Sequence, residues 1–337
     1  MTETFAQLSN NAVYSATVVF TLAMIAHVAE WAVARQLVAL PSRSERRALV
    51  AAGDTGSPAG VAGSTGAEPP GGTNELDSSR DVERSDRFGR TGFGLTVLGV
   101  LVLAVGVVLR GVAADRVPWG NMYEFSITGC LAVGAAYVVL VRRYDIRWLG
   151  LLVTGFLVLV LGLAVLVLYR PLSPLVPALH SYWLMIHVSS AAVAGGAFTV
   201  GALASVLYLL RRRLEVRALE HPEEPRTGFL WRTPSAEAID RLGYRVHAFA
   251  FPLWTFAVLC GAIWAQYAWG RFWGWDPKEV WAFITWVAYA AYLHARATAG
   301  WHGRAAAYVA LAGYATFLFN FVGINLFGSG LHSYGGL

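Results

Sequence analysis

Lysine is nearly missing from this chain: of 26 basic residues, 25 are arginine and Lys278 stands alone. Cysteine is scarce as well. Cys130 and Cys260 sit singly inside apolar runs, which excludes the paired spacing of zinc and dithiol redox sites and leaves them as small packing residues. No CxxCH occurs, so the chain is not itself a c-type cytochrome. Charge of either sign is thin, 14% of residues, against roughly 25% in a soluble domain. The apolar stretches lack the period-two alternation of a membrane β-barrel.

What fills the chain instead is apolar sequence, 56% by composition, in several runs near 20 residues long. Such a run crosses a bilayer core of roughly 30 Å as a helix. The expected fold class is all-α: a polytopic membrane helix bundle of about eight transmembrane helices, with spans near 13–34, 91–114, 124–141, 149–168, 184–210, 247–268, 279–297 and 305–327.

The arginines orient the bundle. Segments 35–90, 142–147, 211–246 and 296–304 hold 21 of the 26 basic residues. The other side keeps Arg110, Arg116, Arg170, Arg271 and Lys278. Positive charge marks the cytoplasm, so the N-terminus, the C-terminus and the loop around 269–281 are expected outside. The basic excess is therefore a topology signal and implies no nucleic-acid partner. No Lys or Arg precedes Arg35, so the first span (1–34) reads as a permanent helix and not as a cleaved leader.

Residues 51–74 are rich in Gly, Ala, Pro, Ser and Thr and have too little apolar surface to order themselves. Segment 35–90 is expected to be a flexible cytoplasmic linker, followed by a membrane domain over 91–337. The inward segment 211–246 ends in a short amphipathic helix opened by "SAEAI". Ala197, Gly201 and Ser205 recur at four-residue spacing, which lets two helices approach closely. No internal repeat is evident.

Histidines at membrane depth are functional candidates. His187 falls near the outer end of the fifth span and His332 just beyond the outer end of the eighth. Two distant histidines thus converge on one face, beside an aromatic loop, as a bis-ligated heme would need. His180 rivals His187, being seven residues earlier. His294 and His27 share a similar depth toward the cytoplasmic side, and either could serve as a ligand used before heme reaches the outer face. His221, His247 and His302 read as solvated or capping residues.

The loop itself is "WGRFWGWDPKEVW", Trp269 to Trp281. Asp276 is a good N-cap, Pro277 fits the first helical position and Glu279 the third. Trp269, Trp273, Trp275 and Trp281 exceed what an interfacial belt needs. They suit a flat platform for a planar ligand, with Arg271 and Lys278 nearby for its carboxylates. Porphyrin matches on both counts.

"WGRFWGWDPKEVWAFITW" resembles the tryptophan-rich WWD signature of heme-handling proteins of cytochrome c maturation, specifically the CcsA/ResC family of the System II pathway, some actinobacterial members of which are labelled CcsB. "PWGNMYEFS", "PALHSYWLMIHVSS", "YLHAR" and "GLHSYG" are similar to further family blocks in the family's order. The likeness covers roughly 90–335, interrupted by 211–246, and leaves out His27 and the linker. It implies heme b as the bound group, His187 and His332 as outer iron ligands, and His294 as the inner-site histidine. It also implies a ResB-type membrane partner that supplies the other inner ligand, and an apocytochrome c bearing CxxCH as client. A thiol–disulfide reductant protein is a further expected partner. The implied activity is that of a cytochrome c heme lyase component in the cell membrane. Two other classes stay open: a heme exporter without ligation activity, and a bis-histidine electron-transfer subunit. No residue is expected to act as a catalytic acid, base or nucleophile.

Overall fold

The structure, a computed structural model, describes residues 2–34, 72–172, 181–328 and 330–332, with 72–79 described by backbone alone. The chain folds into long helices: α1 (Thr2–Val33), α2 (Gly72–Ala114), α3 (Met122–Arg143), α4 (Gly150–Leu166), α5 (Tyr182–Glu220), α6 (Ala236–Trp269), α7 (Pro277–Thr298) and α8 (Arg304–Leu318). A π-turn over Phe319–Gly323 continues α8 into Ile324–Phe327. There is no strand among the described residues. Each helix overlaps one expected span. Seven of them, α4 and α8 together with their adjoining turns, are long and apolar enough to cross a membrane. The exception, α7, has 22 residues but carries Trp, Tyr and His along its length. The chain is a multi-pass membrane protein.

α1 packs along α2 and touches α4, while α5 packs along α6 with α3 and α8 beside it, and α8 also lies on α7. At 39 residues, α5 is about 58 Å long at 1.5 Å per residue, well beyond one bilayer core. Its arginine-rich end runs alongside the start of α6, whose N-cap is Ser235. Gly201 on α5 lets the two backbones close: a Cβ there would stand 2.6 Å from the His247 ring. The loops at the opposite end start α3, α5 and α7, and that end is called the tryptophan-loop end below.

Two expectations change. Helix α2 begins at Gly72, so residues 72–90, expected within the linker, are helical. The segment is held by local charge pairing, with Arg87 Nη2 2.6 Å from Glu83 Oε1, and by tertiary contacts. Ser85 is buried, its hydroxyl donates to the Glu30 carbonyl, and Arg232 bridges Ser85 and Asp86 at 2.7 Å each. The rest of the expected linker, 35–71, lies outside the described residues, as does His180.

His247 is the second. It is neither solvated nor a cap: α6 starts at Ala236, so the residue is three turns into the helix and fully buried. It sits among Phe198, Tyr289 and Tyr292 at centroid distances of 6.1, 5.2 and 5.3 Å. Below that cluster, Arg296 pairs with Asp240 at 2.8 Å.

Candidate heme site at the tryptophan-loop end

Helix α6 ends at Trp269, where Gly270 takes the left-handed conformation (φ 71°) that favours glycine. The chain then turns through Arg271–Trp275 into the Asp276 cap of α7. Asp276 and Glu279 form a reciprocal capping box. Glu279 also accepts the Gly274 amide at 2.8 Å and Arg271 Nη1 at 3.0 Å. The loop is therefore cross-tied by one buried carboxylate.

Asp276 does more than cap. Its Oδ2 accepts the Leu331 amide at 2.7 Å, and its Oδ1 lies 2.9 Å from His332 Nδ1. One side chain thus fastens the start of α7 to the tail that follows α8. Burial pulls the His332 imidazole below the ordinary histidine range, with Asp276 opposing it. The Asp276 carboxyl sits below its usual range: burial would raise it, and the Lys278 amide, His332 and the Leu331 amide outweigh that.

His187 is fixed in the same manner from α5. Its Nδ1 lies 2.7 Å from the Ala257 carbonyl. A carbonyl only accepts, so Nδ1 carries the proton and Nε2 keeps its lone pair. Gly261 clears the space, since a Cβ there would meet the His187 ring at 2.7 Å. Trp264 touches both rings, stacked on His187 at 6.2 Å and edge-on to His332 at 5.6 Å. Trp269 closes on His332 at 4.7 Å.

Both histidines line one cavity of about 480 Å³ that runs between α3, α4, α5, α6, α7 and α8. That size falls within the range of roughly 300–1,000 Å³ typical of ligand pockets. Its walls are apolar apart from a few groups, among them Lys278, Glu279, Asn320 and Asn325. Lys278 Nζ donates to Asn325 Oδ1 at 2.9 Å. The residues fit an iron porphyrin: two imidazoles with Nδ1 anchored and Nε2 basic, aromatic walls, and one cation. Among the described residues no group of three His, Cys, Asp or Glu side chains could hold a bare metal ion.

The expected site residues separate here. His187, His332, Trp273 and Lys278 line the cavity, and Trp269 and Asp276 back His332. Arg271 does not line it; it is paired with Glu279 and lies 5.7 Å over the Trp269 ring. Trp275 points outward, 68% exposed, from a backbone with φ 59°. Trp281 packs on Phe319 at 4.2 Å and does not line the cavity. His294 is exposed on α7. His27 is enclosed between α1, α2 and α4, with Nδ1 3.0 Å from Glu30 and the ring against Gly92 and Gly150. Trp264 was not foreseen as a site residue. Its signal was the run Ala257, Gly261, Trp264 on one helical face, small residues followed by a large ring.

The model of the family described as "Cytochrome C assembly protein" matches residues 119–332. The chain belongs to that family. The "Cytochrome c biogenesis protein CcsA" of Guillardia theta is 35% identical over 242 residues, 68% of this chain and 80% of the relative. Its counterpart in Mesostigma viride is 34% identical over 244 residues, with 67% and 80% covered. The solved structure of "Cytochrome c Heme Lyase CcmF" shares the fold with a TM-score of 0.58 at 16% identity, covering 96% of this chain and half, 50%, of that longer one. The chain is thus a component of cytochrome c maturation, a process that handles heme and an apocytochrome. His187, His294 and His332 all fall within the matched region, and His27 falls outside it.

Proposed function

We propose that this chain carries heme b to the outer face of the cell membrane and presents it there for covalent attachment, acting as the heme lyase component of a cytochrome c synthase. One observation carries the reading: His187 and His332 line the same cavity, each with Nδ1 tied to a fixed acceptor. That arrangement sets both rings and raises the basicity of Nε2 toward iron. Heme is the cargo and the substrate.

In this reading the arginine-rich end is cytoplasmic. Heme enters at His294, whose exposed position on α7 is open to a histidine from a ResB-type partner. At the outer face it lies between His187 and His332, with Trp264 and Trp273 against the porphyrin and Lys278 toward one propionate. An unfolded apocytochrome then brings CxxCH, and its histidine displaces one outer ligand. Each cysteine S–H adds across one vinyl C=C, so sulfur bonds to carbon and the hydrogen ends on the neighbouring carbon. A thiol–disulfide reductant keeps those cysteines as thiols. The chain supplies positioning and control of the iron.

The test is the product. Co-expression with a ResB-type partner and a CxxCH apocytochrome, in a strain without maturation genes, should give heme that stays on the apocytochrome in a denaturing gel. Heme that co-purifies with the chain but never becomes covalent would favour an exporter instead.

A further inference from the structure

The proposed heme site has a second wall, the loop from Arg116 to Glu124 that starts α3. Glu124 is fully buried and faces two arginines: Arg110 Nε at 3.0 Å and Arg116 Nη1 at 2.7 Å. Arg110 is itself fully buried and uses Nη2 to reach the Arg170 carbonyl at 2.8 Å. Two cations and one carboxylate leave an enclosed excess of positive charge, which is costly unless an anion answers it.

The same wall holds buried donors without acceptors: Arg116 Nε, Trp119 Nε1, Asn121 Nδ2 and, from the start of α5, Trp183 Nε1. These four are N–H groups, and the buried Tyr123 hydroxyl in the same stretch also lacks a partner and can donate as well. The Asn121 assignment is set by its other end, because Oδ1 accepts the Glu124 amide at 2.9 Å and the remaining nitrogen can only donate. Buried polar groups are almost always paired, so a cluster of unpaired donors on a positively charged wall points to an acceptor-rich, anionic ligand group. Of these four, Trp119 lines the cavity that holds His187 and His332, and Arg116 and Asn121 flank it in the same loop. Trp119 and Trp183 pack on the same apolar cluster as Trp264.

We propose that this wall binds one carboxylate of the porphyrin, with Trp119 as the donor on the cavity and Arg116 and Asn121 as further donors beside it in the same loop. The inference rests on the heme reading above and adds a division of labour to it. Lys278 meets one propionate on the α7 side, and the 116–124 loop meets the other on the α3 side. Arg271, the cation that the aromatic loop displays in sequence, takes no part: it is 30% exposed and, unlike Arg116, holds no buried unpaired N–H.

The experiment is a spectroscopic titration of the purified full-length chain with ferric heme and with its dimethyl ester, which keeps the ring and the vinyls and loses both carboxylates. The wild type should bind the diacid more tightly than the ester. Arg116→Gln should weaken the diacid about tenfold, the scale of a hydrogen bond to a charged group, and leave the ester unchanged. Trp119→Phe removes only the N–H and should weaken the diacid by a smaller factor, which keeps the test alive if Arg116→Gln folds poorly. The absorption spectrum of bound heme should not move in either variant, because the iron ligands are untouched. Wild-type affinity for the diacid in both variants overturns the proposal and leaves the heme site standing. Failure of the wild type to bind either porphyrin overturns both.

Discussion

Arg116 stands eight residues before Glu124, and Arg271 stands eight before Glu279. In each loop the arginine pairs with the glutamate, and a glycine amide, Gly120 or Gly274, donates to the same carboxylate at 2.8 Å. In each, the residue three before the glutamate, Asn121 or Asp276, is the N-cap of a helix that lines the cavity. One device thus builds two walls. The loads differ. The α3 loop carries a second arginine, deep burial and unpaired donors. The α7 loop carries tryptophans, and its cap reaches out to hold His332. The first wall suits an anion, and the second suits a flat ring and an axial ligand.

The largest expected contrast is in stability. Glu124→Ala strands two buried arginines and should cost about 3–5 kcal/mol, the scale for breaking a buried ion cluster. Glu279→Ala leaves an arginine that is 30% exposed, so hydration offsets the loss and about 1–2 kcal/mol is expected. Denaturation of the two purified variants side by side checks this, and equal losses would break the contrast.

The next contrast is in the caps. Asn121→Ala and Asp276→Ala each remove a cap worth about 1 kcal/mol. Only Asp276→Ala also frees His332 and the Leu331 amide. It should therefore lose the low-spin heme spectrum, whereas heme bound to Asn121→Ala keeps it.

The smallest contrast lies within the α7 loop. Trp273 lines the cavity and Trp275 faces outward. Trp273→Ala should weaken heme binding by about tenfold, in line with 1–1.5 kcal/mol for a lost aromatic contact. Trp275→Ala should change affinity and unfolding by no more than a typical surface substitution, about 0.5 kcal/mol. A reversed order would mean that the wrong ring had been assigned to the porphyrin.

Much of the frame was legible because it depends on local chemistry. Apolar run lengths gave the helices, Asp-Pro-Lys-Glu gave the start of α7, and span parity put His187 and His332 at one end. The rest depended on contacts between distant residues. The bond from Asp276 to His332 joins positions 56 apart. The burial of His247 follows from α6 running alongside α5. The kinship of the two loops was hidden by a one-residue shift: Trp-Gly falls at 119–120 in one and at 273–274 in the other, four and five residues before the glutamate. The helix over 72–90 is polar in sequence, and Ser85 within it is held by the Glu30 carbonyl and Arg232.

The central claim is that His187 and His332 hold one heme between them. The direct measurement is the absorption and electron paramagnetic resonance spectrum of purified chain as wild type, His187→Gly and His332→Gly, with and without added imidazole. The account predicts a low-spin bis-histidine signature in the wild type, its loss in each variant, and its return when free imidazole fills the gap. A full, unshifted low-spin spectrum in both variants would contradict it.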